Sequence, residues 1–312
     1  MRRAVTTLAA VVALVGTLPP APGGAITNGE PDGNAHPFVG QLLFYVPDEV
    51  DPRFEDPGSW FNCSGTLITR RIVLTAGHCT FAIGDDGAST TAGGGDGPGG
   101  NDVWVNFDEV PSYEGFPPSS NYGPDENQER YADRVAWLAT QPRWHRGRAY
   151  SHPNYDEAAF FRFDLGVVVL DEPVRMPAYG RLPALGQLDP YQTMPRRDRR
   201  FTTVGYGLET VLPFAAIGGD TRRAATQMLI TLNGTMPSLQ GTWAIFSSNR
   251  GVVHKGGTCY GDSGGPVFVE GTRTIVAVVS FGISPNCTGT SGGYRVDQAD
   301  DLNWLRSDFG LG

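Results

Sequence analysis

The chain is poor in cysteine, with four among 312 residues. These are Cys63, Cys79, Cys259 and Cys287, and no two stand in a C-x-x-C pair. An H-E-x-x-H segment is also missing, so the common zinc-ligand patterns are excluded. No metal and no cofactor is expected. Basic charge is scarce as well: 24 Lys and Arg face 33 Asp and Glu, for a net charge of −9. An acidic surface argues against nucleic acid as a partner. Arg196, Arg197, Arg199 and Arg200 then read as a solvated loop. Beyond the N-terminus no apolar run is long enough to span a bilayer. Alternation of strand and helix signals is absent, as is any internal repeat.

Glycine and proline are plentiful, at 42 and 24 residues, which favours a turn-rich β fold over a helical bundle. Short apolar runs recur between turn signals: 38–46, 65–76, 165–170, 201–207, 225–232 and 274–282. Val, Ile, Leu and Phe dominate them, the pattern of an all-β barrel or sandwich. A helix is expected only at the C-terminus. There Val296, Ala299, Leu302 and Leu305 recur at helical spacing, and Gly310 can end the helix. Residues 84–101 are Gly-rich and read as a surface loop. Its Asp85, Asp86 and Asp96 match no defined calcium loop.

Residues 1–25 read as a secretory signal. Arg2 and Arg3 precede an apolar stretch, then come Pro19, Pro20 and Pro22, and small residues end at Ala25. Loss of this segment removes two arginines and no acid, leaving 22 bases against 33 acids and a charge of −11. A secreted protein with no membrane attachment after signal removal is expected. In an exported chain four cysteines suggest two disulfides. Three pairings are open. Loop length favours 63–79 with 259–287, and the shorter loop contributes about 3 kcal/mol in the chain-entropy account.

The segment CYGDSGGPVF, residues 259–268, poses the functional question. Such a turn can serve flexibility alone. It can also hold a serine nucleophile against backbone amides. A serine hydroxyl needs a base, and the base needs a carboxylate to set its tautomer. His78 in TAGHC, at the end of an apolar run, and Asp164 in DLGVVVL, at the head of one, supply both. A carboxylate at the head of a buried strand is costly without a partner, and His78 is that partner.

With these segments the chain resembles the trypsin-like (chymotrypsin-family) serine peptidases. The order His, Asp, Ser, the segments TAGHC and GDSGGP, and the pieces ITNG (26–29), CSGTLIT (63–69), HPNYD (152–156), VGYG (204–207) and VVSFG (278–282) carry the resemblance. It covers nearly everything from Ile26 to Gly312. It implies two six-stranded antiparallel β-barrels, one about 26–180 and the other about 181–312, with a C-terminal helix. It implies the same cysteine pairing. It implies that Ser263 attacks the scissile carbonyl, that His78 moves the proton, and that Asp164 orients His78. The amides of Gly261 and Ser263 form the oxyanion hole, and Ser280 hydrogen-bonds the aspartate. Asp262 pairs with the α-amino group of a mature terminus at Ile26. Gly257 lies at the base of the specificity pocket and Thr258 on its wall, while Gly282 and Gly292 keep it open. Without an acid at Gly257, an apolar or aromatic side chain is expected there rather than Arg or Lys.

The implied function is a secreted serine endopeptidase acting on proteins or peptides through an acyl-enzyme, a monomer open to protein inhibitors. The rivals are a catalytically silent binding protein on the same fold, and an esterase. His78 and Asp164 stand 86 residues apart, and the excess length is placed at about 81–150, a piece that restricts substrates, binds a partner, or only decorates the surface. His36, His145, His152 and His254 are read as structural or surface residues.

Overall fold

A computed structural model describes residues 26–90, 99–159, 162–212, 215–232, 241–249 and 256–311. The signal segment and His254 lie outside these residues. Strands β1 (Glu30–Pro31), β2 (Val39–Val46), β3 (Ser59–Leu67), β4 (Ile72–Thr75), β5 (Val103–Asn106), β6 (Trp144–Ser151) and β7 (Gly166–Leu170) come first. Then follow β8 (Arg200–Gly205), β9 (Leu208–Leu212), β10 (Ala215–Gly218), β11 (Arg223–Thr231) and β12 (Trp243–Ser247). The last are β13 (Pro266–Val269), β14 (Ile275–Gly282) and β15 (Thr290–Arg295).

Strands β2-β3-β4-β7-β6-β5 form a closed antiparallel barrel, with β5 pairing back on β2. A second six-stranded barrel runs β11-β12-β15-β14-β13-β8 and closes through β11 on β8. Closure leaves no long open edge in either barrel. β1 precedes the first barrel in the chain but pairs with β11 of the second, tying the two together. The expected all-β, two-barrel fold is what the chain adopts. The expected C-terminal helix runs Ala299–Phe309, with Leu302 and Leu305 buried. Gly310 ends it at φ 64°, a left-handed conformation in which a side chain is disfavoured. Both disulfides form as expected, Cys63–Cys79 and Cys259–Cys287.

The stretch 81–150 is not one inserted block, because β5 and β6 inside it are barrel strands. The piece between them holds a helix that apolar periodicity did not show, α1 (Asn127–Ala139). Its buried face is mostly polar: Asn127, Arg130, Arg134 and Leu138. Arg130 donates to Asp51 Oδ2 at 3.0 Å and to the Gly58 carbonyl at 2.9 Å, and stacks over Phe54. Arg134 stacks over Phe116. Leu138 packs with Leu43, Trp104 and Trp144. The helix therefore docks by guanidinium groups against carbonyls and rings, a pattern that a search for apolar spacing misses.

Candidate active site

β4 ends at Thr75, and a single 3-10 turn, Gly77–Cys79, follows and carries His78. Asp164 stands just before β7 and is fully buried. Its carboxylate accepts from His78 three ways. The His78 amide reaches Oδ1 at 2.9 Å, and the ring Nδ1 lies 3.0 Å from both oxygens. Ser280 on β14 donates to Oδ2 at 2.6 Å. Burial opposes the imidazolium, but the charge of Asp164 and its hydrogen bond outweigh burial and hold the His78 pKa above its ordinary value. The His78 side chain keeps 26% of its surface open to solvent. Nδ1 faces the carboxylate, and Nε2 is the ring nitrogen turned away from it.

Ser263 lies in the turn between the Cys259 segment and β13. Its carbonyl accepts from the Ser64 amide at 2.8 Å, which fixes the turn on β3 of the first barrel. Gly264 sits at φ +74°, and a Cβ there would come within 1.9 Å of Thr75 Oγ1. The serine turn thus packs directly on the strand that leads to His78. Gly261 sits at φ +95°, so its glycine is required by backbone conformation. Among the described residues no hydrogen bond joins Ser263 to His78. Such bonds are commonly long without substrate and tighten around it.

Asp262 points the other way, into the protein. It is wholly buried and accepts from the Gly207 and Cys259 amides, each at 2.8 Å. Burial pushes its carboxyl up to about 7, against the pull of those two amides. Among the described residues no side-chain cation pairs with it. Ile26 is fully buried, and the next residue, Thr27, bridges to Gly257, whose amide donates to the Thr27 carbonyl at 3.0 Å. The start of the described chain is therefore laced to the segment that leads into the serine turn.

A cavity of about 420 Å³ opens beside Ser263. Thr258 and Gly282 line it, together with Tyr260, Val279, Phe281, Ile283 and Pro285. None of its lining residues is charged. Gly257 and Gly292 do not reach it. A Cβ on Gly257 would meet Ser248 Cβ at 2.2 Å, so this residue backs onto the segment that follows β12. The Phe281 ring lies over Gly292, where a Cβ would meet it at 2.1 Å. The small residue there makes room for an aromatic ring rather than for open space. Tyr260 was missed although it adjoins GDSGG; its 58% exposure is a tertiary fact that no pattern gave.

The remaining histidines have structural surroundings. His36 Nδ1 lies 2.6 Å from Asp32, and its ring stacks on Phe268. His152 is buried between Phe163 and Trp304, and burial pulls its pKa down to about 4. His145 packs beside Phe107 and is likewise lowered by burial. Asp85 and Asp86 pair with Arg148 and Arg146.

The sequence model of the Trypsin family matches residues 130–302, more than half of the chain. The chain belongs to the trypsin family. The matched residues include Asp164 and Ser263 and stop short of His78. A CLIP domain-containing serine protease B15 of Anopheles gambiae is 28% identical over 291 residues, covering 89% of this chain and 67% of that protein. Among solved structures, the HL collagenase superposes with a TM-score of 0.58 at 17% identity, over 92% of this chain and all of the other. That likeness supports the fold alone. Among the described residues no helix is long and apolar enough to cross a membrane.

Proposed function

We propose that this protein is a secreted serine endopeptidase with an apolar or aromatic preference for the residue before the scissile bond. The observation that carries the reading is the bond set of His78: Nδ1 on the buried Asp164, itself anchored by Ser280, in the turn that follows a strand packed against the Ser263 turn. In this reading His78 Nε2 takes the Ser263 proton as Oγ attacks the carbonyl carbon. The Gly261 and Ser263 amides hold the oxyanion. The imidazolium then protonates the leaving amine, and water repeats the sequence on the acyl-enzyme. Asp164 stabilises the imidazolium, consistent with the raised His78 pKa. The uncharged cavity offers no counter-ion for a Lys or Arg side chain and suits an apolar one.

Asp262 takes the α-amino group of Ile26 once the preceding residues are removed. A buried carboxyl with no side-chain cation among the described residues, two short backbone bonds, and a buried Ile26 support that role.

The test is cleavage of a diverse peptide mixture by the protein starting at Ile26 and by its Ser263→Ala variant, with new termini mapped by mass spectrometry. Cuts after Phe, Tyr, Leu or Met, absent in the variant, are expected. Serine-dependent cuts after Arg or Lys would overturn the pocket assignment. Cuts that persist in the variant would overturn the mechanism.

A further inference from the structure

A second cavity, of about 300 Å³, also borders the serine turn. The two share no lining residue. They meet at the backbone of Tyr260 and Gly261. Tyr260 lines the first, and its carbonyl accepts from Leu208, which lines the second. Asn62, also in the second, has its side-chain amide 3.4 Å from the place of a Gly261 Cβ. A peptide with its carbonyl on the Gly261 and Ser263 amides and its side chain in the first cavity must send its leaving segment away from that cavity. The second cavity borders the Tyr260 and Gly261 backbone through Leu208 and Asn62 and so lies within reach of that segment.

Three parts of the chain build this cavity. β3 supplies Phe61, which is 40% exposed. The segment between β5 and β6 supplies Tyr113 and Arg134, and the loop after β10 supplies Asp220. They are held in register by one buried side chain, Gln41. Its Oε1 accepts from the Tyr113 hydroxyl at 2.9 Å, and its Nε2 donates to the Gly219 carbonyl at 3.0 Å. The added segment is thereby fixed to the cleft.

We propose that this cavity is a leaving-side subsite that takes a basic substrate side chain, its stem on Phe61 and its cation at Asp220. The inference rests on the peptidase reading for the direction of the bound peptide. Asp220 is exposed and has no ion-pair partner among the described residues. Phe61 presents an open ring, which favours a cation over its face. Arg134, the one cation in the lining, is turned to other work. It donates to the Pro117 carbonyl and to Ser119, and stacks over Trp60 and Phe116.

The experiment uses peptides sharing one apolar residue before the scissile bond and varied over the first three positions after it. Arg, Lys, Leu and Glu are compared at each. Binding to the Ser263→Ala protein and kcat/KM with the active protein are both measured. A preference for Arg and Lys over Leu of roughly fivefold is expected at one of these positions, the size of an exposed ion pair plus a ring contact. Asp220→Asn should bring the ratio close to one, and Asp220→Arg should invert it toward Glu. Equal binding of all four peptides overturns the proposal. So does a preference for Glu in the unaltered protein, which would hand the site to Arg134. A small anilide substrate with no leaving-side residues is run in parallel. Its resistance to cleavage counts against the peptidase reading, while the binding ratios still decide the subsite.

Discussion

The two halves of the site are built to different standards of completeness. On the first barrel, His78 and Asp164 are locked by three contacts between them, and Ser280 adds a fourth to the carboxylate. On the second, Ser263 and Gly261 flank a buried Asp262 whose only described partners are two backbone amides. A buried carboxyl near pH 7 without a cation is a costly arrangement. In the proposed mechanism the base is finished by the fold itself. In the same proposal the nucleophile and oxyanion turn depend on the α-amino charge of Ile26.

The sharpest way to break this contrast is on the finished side. In the active protein, Asp164→Asn is expected to lower kcat by roughly ten-thousand-fold, because the amide sets the wrong imidazole tautomer. The fold should survive, as read by the thermal transition. A loss of less than tenfold would mean that His78 is not the base. The conditional side is tested by comparing protein that begins at Ile26 with protein that keeps upstream residues. The upstream form is expected to be inactive. Its Asp262 is raised above the unfolded value, so the folded state binds the extra proton between about pH 4 and 7. Stability of that form should therefore fall as pH rises through this window, by on the order of 4 kcal/mol, and Asp262→Asn should flatten the slope. Denaturant titrations at several pH values read it. Identical pH profiles for the two forms would remove the α-amino partner from the account.

A smaller effect is expected at Ser280. Ser280→Ala removes one hydrogen bond to a buried charge and should cost roughly tenfold in kcat with little change in KM. The acid limb of kcat/KM sharpens the same point. Activity needs neutral His78, so it should rise with pH through a value above the ordinary histidine range, following the direction of its shift. A limb below pH 6 would contradict the Asp164 contact as the governing influence.

Sequence and tertiary structure divided the information along physical lines. Strands with strong β-branched and aromatic runs, such as β2, β7 and β14, were legible because local pattern and burial coincide. β15, with the sequence TSGGYR, was not, because its place is set by pairing to β12 and β14 rather than by its own side chains. α1 was hidden by its polar buried face, whose partners Asp51, Gly58 and Phe54 lie more than 70 residues away. Asp164 and His78 were legible because a charge at the head of a buried run demands a partner. Of the four residues read as pocket, Thr258 and Gly282 line the cavity beside Ser263, while Gly257 and Gly292 pack against Ser248 and Phe281.

What the sequence determined alone was the chemical inventory and its order: a histidine just after one apolar run, an aspartate just before another, a serine in a glycine-rich turn, four cysteines, and a glycine wherever the serine turn needs positive φ. Residue type and short-range spacing carry those facts, because rotamer, conformational and solvation costs act locally. Only the tertiary structure decided which surfaces face the cleft. The open ring of Phe61, the exposure of Tyr260 and the Gln41 bridge each depend on atoms brought together from distant parts of the chain, and burial of that kind is a property of the folded assembly.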